Sequence, residues 1–446
     1  MTERPGRLDG RGMRRISRGR FLGGSLAALG GLTLAGCGVA SFAGTNRTVD
    51  FWNLFGGGDG ARLGEMESNF RSNHSGIQLD STTLAWGAPY YTKLSMSTVG
   101  GRPPEVAILH QTHLASYAPA GLLEPLDPGL LSDFGIGPEN FLPEILEASK
   151  YQGEIYTIPL DTHPFVQYYN TDICKKAGLL GSDGILIPLE GPDAVIDAFK
   201  KAKEVTGDLG LTIYAADPAG PWRLFYTLYG QLGGAVLSED ATEIILDEEK
   251  VVQAVEFMIA LAQDARVTAA NVDYPGSVAQ FQSGTAGFQW NGDWEVTTYL
   301  DADLPFSMTP FPNVFGKNHI SQADRHTFVI PRQPKKDPAG MEASLEFVSS
   351  MLKNSLTWAK GGHIPAYLPI ARTEEYKKLS PQSNYVDVAD NVVLDPAAWF
   401  SGSGSTMEQR ASATFQSAMA GAIGARAVYK ELRAILQELV DTPKPL

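Results

Sequence analysis

Apolar and polar positions change period several times along the chain. Residues Thr48-Val-Asp-Phe-Trp-Asn-Leu-Phe55 form a β-rich run that predicts a strand. The glycine-rich stretch Gly56-Gly-Gly-Asp-Gly60 follows, and then Leu63, Met66 and Phe70 fall on one helical face. Residues 77–83 predict a second strand, and Val106-Ala-Ile-Leu109 a short, fully buried one. Farther on, Val251, Val255, Met258, Ile259 and Ala262 keep a helical stripe, as do Leu345, Val348 and Leu352. Ile423, Val428, Leu432, Ile435 and Leu439 repeat it near the C-terminus. Strands alternating with helices predict an α/β fold with a largely parallel sheet. No repeat of fixed period and no heptad pattern runs through the chain. Ser401-Gly-Ser-Gly-Ser405 reads as a flexible loop, and 331–338 as a polar turn region.

Ahead of the first strand the pattern is different. Arg14, Arg15, Arg18 and Arg20 form a basic head, and Phe21 to Ala35 is an apolar run of 15 residues. That is short of the roughly 20 a membrane-spanning helix needs, and suits an export signal. The run ends in Leu34-Ala35-Gly36-Cys37, which resembles the lipobox of bacterial lipoproteins. The resemblance implies a signal peptide over 1–36, lipid attachment at Cys37, and a Gly/Ser/Ala tether over 37–47. Arg14-Arg15 is a true pair, but the residues after it depart from the twin-arginine pattern, so the general secretory route stays open beside it.

Without residues 1–36 the chain has 410 residues, enough for two lobes with separate cores. The net charge is −14; the leader contributes +5 (seven arginines against Glu3 and Asp9), so the remainder carries −19. Such a surface argues against nucleic acid and against a basic membrane-hugging face. Of the 2 cysteines, Cys174 has no partner if Cys37 is lipidated, which leaves no internal disulfide. Cys174 reads as a small buried hydrophobe rather than a nucleophile.

A series of short motifs then appears in a fixed order. They are Val49-Asp-Phe-Trp-Asn53, Gly100-Gly-Arg-Pro-Pro-Glu-Val106, Ala120-Gly-Leu-Leu-Glu-Pro-Leu126 and Gly153-Glu-Ile-Tyr-Thr-Ile-Pro159. Tyr168-Tyr-Asn-Thr-Asp172, Phe281-Gln-Ser-Gly284, Asn291-Gly-Asp-Trp294 and Gly362-His-Ile-Pro365 complete it. In this order, behind a lipobox, the series resembles the family 1 extracellular solute-binding proteins, the group that includes maltose-binding protein. Glu105 replaces the family's usual Asp, and Leu189-Glu-Gly-Pro-Asp193 replaces its usual helix start, where Pro192 still suits a first turn.

The resemblance implies a two-lobed, class II periplasmic-binding-protein-like α/β fold. It has discontinuous lobes: 48–160 with 313–366, and 161–312 with 367–446. Chain crossings are expected near Pro159–His163, Pro310–Asn313 and Pro365–Ile370.

Sugars present C–H faces and hydroxyl edges, so a sugar site needs aromatic rings and planar polar groups in a cleft. Trp294 occupies the family's ligand-facing tryptophan position. Trp86 and Trp222 stand among turn residues where large rings are displayed, and Trp399 is placed to cap the cleft. Asn53 precedes the glycine loop and Asp59 lies within it; His110 and Gln111 end the short strand; His163 lies at the first crossing, and Asp324 and His326 follow the second. The glycine loop lacks both the G-x-G-x-x-G spacing and a Lys-Ser/Thr ending, which excludes a phosphate-loop reading. His110/His113 and His319/His326 are the near histidine pairs, and no Cys or HExxH pattern accompanies them, so no metal and no cofactor is expected.

Together these readings imply a lipid-anchored extracytoplasmic protein. Such a protein is expected to capture a sugar between its lobes and deliver it to the permease of an ABC importer, as a monomer without catalysis. Two alternatives stand beside it. One is a secreted carbohydrate-active enzyme with paired carboxylates. The other is a binder of a non-sugar solute such as a glycerol-phosphate compound, for which Arg223 and Arg325 are the nearby cations.

Overall fold

The computed structural model describes residues 47–444; Cys37 and the expected leader and tether up to residue 46 lie outside them. The chain opens with β1 (Arg47–Asn53), whose alternate residues Val49, Phe51 and Asn53 are buried. Helix α1 (Gly57–Asn73) buries Leu63, Met66 and Phe70, the stripe expected of it. Then follow β2 (Ile77–Thr83), α2 (Ala88–Val99), β3 (Val106–His110), β4 (Ile158–Pro159) and the long β5 (Asp161–Asn170). The middle of the chain forms α3 (Pro192–Thr206), β6 (Leu209–Thr212), α4 (Ala219–Gln231), α5 (Glu248–Ile259), α6 (Tyr274–Gln282), β7 (Ala286–Gly292) and β8 (Phe306–Pro310). The last part forms β9 (Ser321–Asp324), β10 (His326–Val329), α7 (Pro338–Lys353), β11 (Ile364–Pro365), β12 (Val392–Leu394), α8 (Thr406–Met419) and α9 (Ala425–Asp441).

Two sheets carry the two lobes. The first has the order β2-β1-β3-β10-β4, with β1, β2 and β3 parallel and β10 antiparallel to both of its neighbours. The second has the order β12-β9-β5-β7-β6, with β8 and β11 also paired to β5. Each sheet has its own core. Phe51 packs on Phe347 at 4.9 Å in the first, where Phe70, Tyr90, Phe328 and Trp358 join it. Phe199, Phe225, Phe288, Trp290 and Phe415 fill the second. Each such ring contributes about 2 kcal/mol by leaving water, so neither core is marginal by itself.

The chain passes from the first sheet to the second at Leu160, between β4 and β5, and returns at Arg325, between β9 and β10. The return was expected near Pro310–Asn313. It comes later because Phe311 and Val314 pack in the second core and Ala323 pairs with Pro164 of β5. A third passage follows α7: Ile364 pairs with Thr162 of β5, while Ala366 and Tyr367 pack in the first core.

Two loop expectations also change. Ser401, Ser403 and Ser405 are buried, and the Ser403 carbonyl contacts His113 Nε2 at 2.7 Å, so this stretch is a packed connector. Its small residues allow that close approach, which composition alone had made to look like flexibility. Trp222 sits inside α4, fully buried, instead of in a displaying loop. Cys174, in the short helix Thr171–Lys176, is buried and its thiol is pushed up to about 12 by burial, so it is an inert core group. Among the described residues no helix is long and apolar enough to cross a membrane.

Candidate functional site

A cavity of about 420 Å³ lies where the loops leaving the carboxyl ends of strands from both sheets meet. Its size falls within the usual range of small-molecule sites, and strand ends are where α/β sheets place their ligands. The first sheet contributes Leu54 to Asp59 after β1, Trp86 after β2 and His110 at the end of β3. The second contributes Tyr214, Asp217 and Arg223 after β6, and Trp294 and Glu295 after β7, with Tyr274 from the start of α6. His163 and His326, on the two strands next to the crossings, complete the lining.

The glycine loop is there because bulk would not fit. A Cβ on Gly58 would stand 2.9 Å from Thr297 of the other lobe, so the α1 N-terminus can approach that lobe only without side chains. A second glycine frames Trp294. A Cβ on Gly292 would fall 1.8 Å from the indole, so the ring can lie back over the strand end only because Gly292 has none. Trp294 Nε1 then donates to Tyr274 Oη at 2.6 Å, and the Tyr274 hydroxyl donates in turn to Glu295. The Arg223 guanidinium lies 4.9 Å from the centre of the Trp294 ring. Its Nε and Nη1 are buried and have no protein partner, as is true of the Tyr214 hydroxyl. Burial raises Glu295 above the ordinary carboxyl value. Trp86 faces the same space from across the cavity and is 40% exposed.

Beneath the cavity the histidines crowd together. His163 and His326 stack with ring centres 4.0 Å apart, and His110 stands edge-on to His326 at 4.7 Å. Burial, then the neighbouring His326, keeps the His110 and His163 rings well below the ordinary imidazole value. Asp161, wholly buried, takes contacts from His163 Nδ1 at 3.0 Å, His326 Nδ1 at 2.7 Å and Trp358 Nε1 at 2.6 Å. Burial alone would raise Asp161, but the histidines around it hold it well below the usual carboxylate range. His363, stacked on Trp358, joins Asp59 at 2.9 Å through Nε2. Burial opposes its charge, but Asp59 and Asp161 prevail and push it up to about 10.

Of the residues expected from sequence, Asp59, Trp86, His110, His163, Trp294 and His326 line the cavity. The others sit elsewhere. Asn53 accepts from Phe55 N and Thr83 Oγ1 through Oδ1, and so shapes the turn into the glycine loop from behind. Gln111 binds Ala148 O and Thr157. Trp222 gives its Nε1 to Asp395 at 2.9 Å and stacks on Tyr226, because α4 is buried on every side. Asp324 accepts from Thr112 Oγ1 at 2.6 Å and Ser403 Oγ at 3.2 Å, an internal tie. Trp399 borders a second cavity of about 310 Å³, with Tyr117, Arg332 and Lys444, and does not cap the first.

The residues not foreseen are Tyr214, Asp217, Tyr274 and Glu295, with Arg223 noted only as a nearby cation. A signal existed for some of them: Tyr214 and Asp217 follow a short apolar run, Leu209–Thr212, and Glu295 directly follows Trp294.

The fold defines a class first. Known structures superpose on nearly the whole chain: the GacH receptor of Streptomyces glaucescens (TM-score 0.76, 20% identity, 89% of this chain and 98% of that one) and maltose-bound MalE3 of T. maritima (TM-score 0.75, 19% identity, 88% and 99%). The likeness to both is one of fold. The sequence then gives the family. Residues 61–354 match the family of bacterial extracellular solute-binding proteins, and the chain belongs to it. Among relatives, the maltotriose-binding protein of Pyrococcus abyssi is 25% identical over 51% of this chain, a match that spans 46% of that protein. A maltooligosaccharide ABC transporter solute-binding lipoprotein of Streptococcus pneumoniae is 23% identical over 68% of this chain and 72% of its own length. Membership makes the chain a binder of solutes and not an enzyme.

Proposed function

We propose that the chain captures an oligosaccharide of the maltooligosaccharide class between its lobes and hands it to the permease of an ABC importer, from a lipid anchor on the outer face of the membrane. The observation that carries this reading is the pairing of Trp86 and Trp294 from opposite lobes across one cavity. Between them lie hydroxyl-seeking groups, Asp59, Asp217, Arg223 and Glu295. Indole faces match the C–H faces of pyranose rings, and carboxylate and guanidinium groups match hydroxyl edges. The names of the two relatives support the same ligand class. In this reading the lobes close about the crossings at Leu160 and Arg325, and Cys37 carries the lipid.

Native mass spectrometry of the freshly purified chain tests the proposal. An intact oligosaccharide released on denaturation is the expected result. Recovery of cleaved products, or of a phosphorylated non-sugar solute, overturns it.

A further inference from the structure

Four side chains from three distant stretches of the chain meet under the cavity floor. One ligand atom from each of Asp161, His163, His326 and His363 lies within 4.8 Å of the others, and all four residues are buried. Each of the three imidazoles turns its Nδ1 toward the Asp161 carboxylate, at 3.0, 2.7 and 3.3 Å. A tetrahedral zinc ion with bonds of about 2.0 Å sets its ligand atoms roughly 3.3 Å apart. The His163 contact is to Asp161 Oδ1 and the other two are to Oδ2, so an ion would open the contacts of 2.7 and 3.0 Å and draw in the wider separations, none of which exceeds 4.8 Å.

Buried atoms in the cluster lack partners. His163 Nε2, His363 Nδ1 and both carboxylate oxygens of Asp293 have none in the protein, although each is fully enclosed. Asp293 Oδ1 stands 3.7 Å from His363 Nδ1, so a second buried carboxyl group borders the cluster. Unpartnered polar atoms in a dry interior cost free energy unless something satisfies them.

The outer contacts also fit a metal centre. His363 Nε2 is held by Asp59 at 2.9 Å, a carboxylate–histidine pair of the kind that orients a metal-binding imidazole. The Asp161 carboxylate is fixed by Trp358 Nε1 and by the backbone N–H of His326.

From this geometry we infer that Asp161, His163, His326 and His363 form a binding site for one divalent transition-metal ion of the zinc class. The donor set, three imidazoles and one carboxylate, suits zinc or cobalt and is poor for calcium or magnesium, which take oxygen ligands. The ion has a structural task. Asp161 and His163 begin β5 after the first crossing, His326 begins β10 after the second, and His363 precedes β11 at the third. An ion held by all four joins the three passages at one point and fixes the floor on which the cavity rests. The site does not depend on the identity of the solute.

The test uses the tag-free full chain, stripped with a chelator and then titrated with Zn²⁺ alone. The expected result is one ion per chain, and a melting temperature raised by about 3 °C or more at a hundredfold excess over Kd. His163→Gln is expected to weaken Zn²⁺ binding roughly tenfold or more. X-ray absorption on the zinc-loaded wild-type chain requires no variant to fold, and three imidazoles with one carboxylate oxygen are expected. Failure to bind stoichiometric Zn²⁺, a shell with fewer than two imidazoles, or unchanged affinity in folded His163→Gln overturns the inference. In that event the cluster is a proton-bonded network only.

Discussion

Replacing Trp294 by alanine separates a binding ring from a core ring. The indole is only partly exposed and the Arg223 guanidinium already lies over its ring, so a sugar set against the remaining surface covers about 50 Å² of it. At about 25 cal/mol per Å² that is roughly 1.3 kcal/mol, and the contact of C–H groups with the ring adds about 1 kcal/mol. The sum, about 2 kcal/mol, corresponds to a roughly 30-fold weaker Kd. The solute-free protein loses little. Tyr274 keeps Glu295 as its hydrogen-bond partner when Trp294 is removed, and Arg223 is relieved of no salt bridge. Calorimetric titration with maltotriose, beside a melt of the solute-free protein, measures both quantities. A drop of many degrees in the melting temperature with unaltered affinity would show that Trp294 is core packing, and the reasoning from its position would fail.

Other expectations follow from the same structure. Trp222→Ala removes a wholly buried ring and one of the two hydrogen bonds to Asp395 Oδ1, so it should destabilise the fold by about 3–5 kcal/mol. Chemical denaturation checks this, and a loss under 1 kcal/mol would contradict the packing described. Glu408 is pushed up to about 8 by burial, against the nearby Arg223 charge, from an ordinary value of 4.5. Between those values the native state keeps a proton that the unfolded chain has lost, so Glu408's contribution to stability should fall as pH rises from about 5 to 8, against the opposite trend of the buried His110 and His163, and Glu408→Gln should turn the net slope more positive. Melts across that range decide it, and a rise in stability with pH that depends on Glu408 would refute the assignment. Cys37→Ser should release the protein from membranes on fractionation; retention as a processed lipoprotein would rule out the lipobox reading. Small-angle scattering should show a smaller radius of gyration with saturating sugar, whereas an identical profile would favour a rigid site.

The first sheet was readable in the sequence because its strands are local and marked. Val49, Phe51 and Asn53 alternate inward, and Val106 to Leu109 is apolar on both faces, as a central strand covered on both sides requires. Half of the site was readable for a related reason. Asp59, Trp86 and His110 stand at or shortly after strands marked in the sequence, and strand ends are where such folds present their side chains, whereas Trp294 was reached through the Asn291-Gly-Asp-Trp294 motif.

What was not legible depended on pairings between distant segments. The return crossing at Arg325 is set by the pairing of β9 with Pro164, and nothing in residues 310–325 states that partner. Trp222 lies between Pro221 and a run that reads as turn or helix, and only the packing of α8 against α4 decides that it is enclosed. The histidine cluster escaped a search by spacing because its members stand at 161, 163, 326 and 363. Only the crossing strands bring them together.

A crystal structure of the chain with a bound maltooligosaccharide tests the central claim most directly. Density for the sugar is expected in the 420 Å³ cavity, stacked on Trp294 and within hydrogen-bonding distance of Arg223. Density in the second cavity beside Trp399, or none in either at saturating sugar, would contradict it.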